Sequence, residues 1–176
     1  MTRKDERKII FKGDLFELTS TIFYSEDKKK IRIFEKAHRP PGVRMLITKS
    51  DLIMLSREFR DELNDWDYRL PGGKVFDDFK SYNEKLNNVD ELQKDIQEAV
   101  VRETREEVGL DVQLNDMELI HKSVSGSSVR WDLLYFHIQK FVVREKGQEL
   151  EEGERIDKPV WLHSKEVLEM CLSGKI

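Results

Sequence analysis

The stretch from Asn88 to Gly109 constrains this chain more than any other. Asn88 is a helix N-cap type with Glu91 three residues on, an arrangement that satisfies orphan N–H groups in a first turn. Gly109 can take the left-handed backbone that stops a helix. A helix from Asn88 to Gly109 is therefore expected. On a helical wheel, Val100, Val101, Thr104 and Val108 form one apolar stripe, and Glu103, Glu106 and Glu107 fill the neighbouring arc. Like charges at these spacings destabilise a helix by roughly 0.2–0.5 kcal/mol per pair. Arg102 and Arg105 can offset that cost on a solvated face. Three carboxylates on one arc are also a hard-oxygen site for Mg²⁺ or Mn²⁺.

The rest of the chain supplies a sheet for that stripe to cover. Ile9–Phe11, Phe16–Tyr24 and Lys30–Phe34 read as strands between turn signals, and together form an N-terminal block ending near residue 40. Val43–Thr48 and Leu52–Ser56 read as a hairpin around Lys49-Ser50-Asp51, and Trp66–Leu70 as a strand entering the turn Pro71-Gly72-Gly73-Lys74. Residues 77–95 are polar and aperiodic. Two long strands are expected near Val112–Val124 and Val129–Val143, then an acidic loop over 145–154 and a strand at Lys158–Leu162. Ser164 is expected to cap a final helix that ends near Gly174.

Composition narrows the function classes. With 176 residues the chain suits one domain that buries roughly 70% of its unfolded surface. A net charge of -4 sets up no basic face for nucleic acid. The single cysteine, Cys171, rules out an internal disulfide and a multi-cysteine zinc site; beside Met170 and Leu172 it reads as a small buried hydrophobe. His38, His121, His137 and His163 show no metal-ligand spacing. The charged N-terminus has no signal-peptide core and no run spans a bilayer, so a soluble, cytoplasmic protein is expected.

The glycine turn Gly72-Gly73 and the run Arg102-Glu103-Thr104-Arg105-Glu106-Glu107-Val108-Gly109-Leu110 together resemble the signature of the Nudix hydrolases. That signature is a glycine, a glutamate, then Arg-Glu-aliphatic-any-Glu-Glu-any-Gly-aliphatic in a loop-helix-loop. Thr104 stands at the first aliphatic position, and Lys94 stands where the earlier glutamate falls, with Glu91, Asp95 and Glu98 nearby. The resemblance implies an α/β fold of the α+β kind: an α/β/α sandwich around a mixed sheet, preceded by an antiparallel extension. Residues 1–40 would be that extension and a homodimer layer, and 41–176 the Nudix domain with an insertion at about 77–94. It implies that Glu103, Glu106 and Glu107 hold Mg²⁺ or Mn²⁺ and that Arg102 orients them by charge-assisted bonds. Gly72 and Gly73 would let the backbone approach both helix and phosphates.

The flanks resemble the ADP-ribose and nucleoside-diphosphate-sugar branch, which implies cleavage of a pyrophosphate bond in a small nucleotide. Arg57 and Arg60 are candidate phosphate donors. Trp66, Tyr68 and Trp131 are candidates to stack on a base. The general base is left between Glu103 and a carboxylate of the 145–154 loop, where Glu149, Glu151, Glu152 and Glu154 lie. Two other readings stand beside this one. One is a triphosphate pyrophosphohydrolase, which would release inorganic pyrophosphate; the other is a non-catalytic nucleotide sensor.

Overall fold

In the computed structural model, which describes residues 5–27, 29–124 and 126–176, the chain opens with strands joined by short turns. β1 (Asp5–Lys12), β2 (Glu17–Tyr24) and β3 (Lys30–His38) pair antiparallel in chain order. The first turn is closed by the Gly13 N–H donating to the Phe16 carbonyl at 2.8 Å. Ile9, Phe11, Ile31 and Ile33 of this layer are exposed. β4 (Gly42–Lys49) and β5 (Leu52–Arg60) form the expected hairpin, turning at Ser50 with φ 56°, and β6 (Asp65–Arg69) folds back on β5.

The aperiodic segment after the glycine turn contains a helix, α1 (Phe79–Lys85), whose N-cap Asp78 accepts the Ser81 N–H at 2.7 Å. α2 (Val89–Val108) begins and ends as its caps dictate. The Asn88 side chain accepts the Glu91 N–H at 3.2 Å, and Gly109 sits at φ 67°. The two long strands expected downstream are broken up. β7 (Leu110–Asp111) gives way to a 3-10 turn at Leu114–Asp116 before β8 (Met117–Val124). β9 (Val129–Arg130), β10 (Asp132–Ile138) and β11 (Val142–Val143) divide the second. The reason lies in pairing: β9 joins the edge of β3 and β11 pairs with β7, so only β10 stays in the central sheet. β12 (Val160–His163) leads into α3 (Ser164–Ser173). His163, not Ser164, is the N-cap of α3 and makes no side-chain cap; the Ser164 N–H is instead satisfied by the Asp51 carbonyl at 2.8 Å.

The central sheet runs β12-β5-β4-β10-β8, with β6 on β5. β10 is parallel to β4 and its other neighbour is antiparallel, so the sheet is mixed. Period-two alternation sorts its two faces. Val43, Met45 and Ile47 of β4 and Leu134, Phe136 and Ile138 of β10 face Ile96, Ala99 and Val100 of α2 in one core. Burying each such large aliphatic or aromatic side chain stabilises the fold by roughly 1.5–3 kcal/mol. α3 packs on the other face, by β5 and β12, through buried Val167. Cys171, one turn beyond Val167, is exposed, a correction to its expected burial: it lines an open groove, and among the described residues the last turn of α3 stays largely exposed. Among the described residues no helix is long and apolar enough to cross a membrane.

Candidate active site

β4 and β5 pair only beside their turn, at Thr48 with Ile53 and Lys49 with Leu52. The free edge of β4 that this leaves is taken by the glycine turn. The Met45 N–H donates to the Pro71 carbonyl and the Val43 N–H to the Gly73 carbonyl, both at 2.9 Å. Glycine is required twice. At Gly72, φ is 137° and a Cβ would run into the Val43 carbonyl; at Gly73 a Cβ would run into the Glu103 carboxylate.

That close approach brings the carboxylates of α2 under the turn. Glu103 and Glu107, one helical turn apart, are each 8% exposed. Glu107 accepts the Gly72 N–H at 2.8 Å. Arg102 donates to the Lys74 carbonyl at 2.7 Å and to Glu103 at 2.9 Å, with its Nε 3.7 Å from Glu106. Burial pushes the Glu107 carboxyl up to about 8, against the pull of the Gly72 N–H. Burial also raises Glu103 and Glu106, opposed in both by Arg102. Thr104 is fully buried, and its hydroxyl donates to the Val100 carbonyl at 2.7 Å, so the helix itself satisfies this departure from an aliphatic residue.

A cleft of about 370 Å³ opens in front of these residues. Glu103, Glu106 and Glu107 line it together with Glu151 and Glu154 of the acidic loop. Arg39, Arg44, Arg60 and Arg69 line it as well. The acidic loop is tied to the end of α2. The Glu149 N–H donates to the Glu106 carbonyl and the Arg144 N–H to the Gly109 carbonyl, both at 3.0 Å. The Gln148 amide donates to the carbonyls of Glu107 at 2.7 Å and Asp157 at 3.0 Å. Glu149 itself is held by Arg144 at 2.7 Å.

Of the residues singled out in the sequence, Gly72, Gly73, Arg60, Glu103, Glu106, Glu107 and Trp131 meet at the cleft, and Arg102 braces it from behind. Arg57 and Trp66 lie elsewhere: Arg57 pairs with Asp157 at 2.9 Å and stacks 4.8 Å above the Trp66 ring, which packs edge-on to Phe59. Tyr68 faces the groove beneath α3. Near the missing box glutamate, Lys94 pairs with Glu98 and Glu91 with Lys85, and none of these lines the cleft. Arg39, Arg44 and Arg69 were not singled out. Arg44 did carry a signal, a lone charge in the apolar strand Val43–Ile47. Among the described residues neither Arg39 nor Arg44 has a carboxylate within ion-pair distance, and Arg39 Nε and Arg44 Nη1 are buried without a hydrogen bond. Burial lowers both guanidiniums. Arg39 lies 4.1 Å over the Trp131 ring.

The NUDIX domain model matches residues 38–173, a span that holds the glycine turn, α2 and the acidic loop. The chain belongs to the Nudix family. It is a Nudix hydrolase by that membership, and the fold agrees. A crystal structure described as an ADP compounds hydrolase aligns with a TM-score of 0.69 at 18% identity, covering 98% of this chain and 84% of that one. No curated protein sequence matches the chain.

Nudix enzymes generally use divalent metal ions, and the donor set here suits one. Among the described residues the buried Glu107 carboxylate has one hydrogen bond, from the Gly72 N–H, with Arg44 as the cation that acts on it, and Glu103 and Glu106 stand beside it. Among the described residues no three acidic, histidine or cysteine side chains converge on one point as a finished cage. Glu103 is turned to Arg102 and Glu107 to Gly72. Mg²⁺ binds through one or two carboxylates and keeps several waters, so the residues fit it without such a cage.

Proposed function

We propose that this Nudix hydrolase cleaves the pyrophosphate bond of a nucleoside diphosphate linked to a second group, ADP-ribose or a related nucleotide sugar, with Mg²⁺ or Mn²⁺. The observation that carries this reading is the two-sided cleft. Carboxylates of α2 line it with two guanidiniums, Arg39 and Arg44, that have no carboxylate within ion-pair distance among the described residues. A partly buried guanidinium with an N–H left unbonded is costly, and a phosphate anion supplies charge and acceptors bidentately. The description of the structural neighbour as an ADP compounds hydrolase supports the same substrate class.

In this reading Glu103, Glu106 and Glu107 hold the cation, and Arg102 keeps Glu103 and Glu106 oriented. The ion, when bound, neutralises phosphate charge and makes a water acidic enough to attack at phosphorus. Arg44 and Arg39 hold the non-bridging oxygens, and Arg60 and Arg69 steer the anion inward. Glu151 or Glu154 takes the proton from the attacking water, since both are carried into the cleft by the anchored loop. Trp131, under Arg39, stacks on the base.

The test is turnover of a panel with Mg²⁺, its products separated by chromatography, for the wild type and Glu107→Gln. The panel holds ADP-ribose, other nucleoside-diphosphate sugars, dinucleoside polyphosphates and triphosphates. Cleavage of a diphosphate compound to two monophosphates, lost in Glu107→Gln, is expected. Release of inorganic pyrophosphate from triphosphates alone would overturn the substrate class, and binding without any turnover would overturn the enzyme reading.

A further inference from the structure

Arg39 has a second side. It also lines a separate chamber of about 270 Å³, built from parts that the catalytic box does not include. Arg7 and Glu17 come from the N-terminal sheet, Tyr82 and Asn83 from α1, Arg130 from the end of β9 and Asp132 from the start of β10. α1 is docked rather than loosely looped: the Phe79 N–H donates to the Asp14 carbonyl at 2.6 Å, and the Phe79 side chain is buried edge-on to Tyr82. The N-terminal extension and the inserted helix therefore meet around one cavity, and that cavity adjoins the cleft at Arg39.

The chemistry of the walls discriminates between ligands. Charged side chains stand there as pairs: Arg7 with Glu17 at 3.3 Å, and Arg130 with Asp132 at 3.1 Å. His38 shares a 3.4 Å contact with Thr19, and burial holds its imidazole below the usual range, so it is neutral near pH 7. An additional phosphate would meet Glu17 and Asp132. A purely apolar group would desolvate both pairs without replacing their bonds to water. A hydroxyl-rich ring suits the polar walls: its O–H groups would donate to the carboxylates and accept from the guanidiniums and the Asn83 amide. Its C–H face would meet the apolar lining of Pro41, Tyr82 and Leu86. We propose that this chamber binds the sugar ring attached to the distal phosphate of the substrate, with Arg39 spanning the phosphate and sugar sites. The proposal rests on the diphosphate reading above and adds where specificity for the second group resides.

Asn83→Trp tests it, because the side chain fills the chamber from α1, a helix that contributes no residue to the lining of the cleft; Asn83→Leu, too small to reach across to Arg39, serves as the second variant. Titration calorimetry with Mg²⁺ would compare the uncleavable α,β-methylene analogues of ADP-ribose and ADP. In the wild type the distal sugar is expected to tighten binding about ten-fold, the worth of one or two hydrogen bonds. In the variant that advantage is expected to vanish while the ADP analogue binds as before. Equal affinity of the wild type for both analogues, or an unchanged preference in both variants, overturns the sugar site. Turnover separates the two claims. Hydrolysis that persists with an unchanged preference sinks the chamber alone; a sugar preference lost in Asn83→Trp, without turnover of any compound, sinks the hydrolase reading and leaves the chamber standing.

Discussion

Replacing Glu107 by Gln should stabilise the metal-free protein while abolishing its chemistry, and the size of the effect should depend on pH. Burial pushes the Glu107 carboxyl up to about 8 in the fold, from an ordinary value of 4.5. Its folded pKa is raised, so the folded state binds the extra proton more tightly than the unfolded chain does. That contribution is fully present below about pH 4.5 and is lost as pH rises through about 8. A shift of this size corresponds to about 3 kcal/mol at pH 7 and about 4 kcal/mol at pH 8. Glutamine carries no charge, keeps an oxygen for the Gly72 N–H, and escapes the penalty. For a chain of this length the gain is roughly 6–12 °C in Tm at pH 7. Calorimetric melts in chelator at pH 4.5, 7 and 8 should show near-equal Tm values at the lowest pH and a widening gap above it. Added Mg²⁺ should then raise the wild-type Tm alone. A gap that stays constant from pH 4.5 to 8, or a variant that melts below the wild type at pH 8, refutes the argument that Glu107 is a charge buried for a cation.

Four other outcomes follow from the packing. Thr104→Val removes a buried hydroxyl bonded only to the Val100 carbonyl and adds a buried methyl, so urea unfolding should show a gain of about 0.8 kcal/mol; a loss would mean the hydroxyl serves some other group. Gly72→Ala must strain a backbone at φ 137° and displace the N–H that Glu107 accepts, so a loss of about 3–5 kcal/mol is expected in the same assay. Gln148→Ala should leave the core intact but speed hydrogen exchange at the Glu149 and Arg144 N–H groups, with protection of α2 unchanged. A homodimer through the N-terminal sheet is expected from the family resemblance and the exposed Ile9, Phe11, Ile31 and Ile33; light scattering that gives a monomer mass at micromolar concentration removes it.

How much of this was legible in the sequence depended on how far apart the interacting residues lie. The caps of α2 and the common arc of Glu103, Glu106 and Glu107 act across three or four positions, and both stand as read. The hairpin at Ser50 and the αL glycines at 109 and 174 are equally local. The failures share the opposite property. Residues 129–143 alternate well enough for one long strand, yet their partners are β3, β4, β8 and β7 in turn, and pairing with distant edges cut the run. Arg57 and Arg60 read alike in the sequence, but residues three apart on a strand point to opposite faces, so Arg60 lines the cleft while Arg57 pairs with Asp157.

The sequence by itself determined that a capped helix would carry three carboxylates beside an apolar stripe, because helix periodicity and capping are properties of neighbouring residues. Only the tertiary structure decided what those carboxylates meet. Arg39, Arg44 and Arg69 lie 50, 45 and 20 positions before the start of α2 at Val89, and the splaying of β4 from β5 admits the glycine turn. The acidic loop is seated by carbonyls at the end of the helix. Each of these depends on strand register and on backbone groups finding partners across the chain, which no run of adjacent residues encodes.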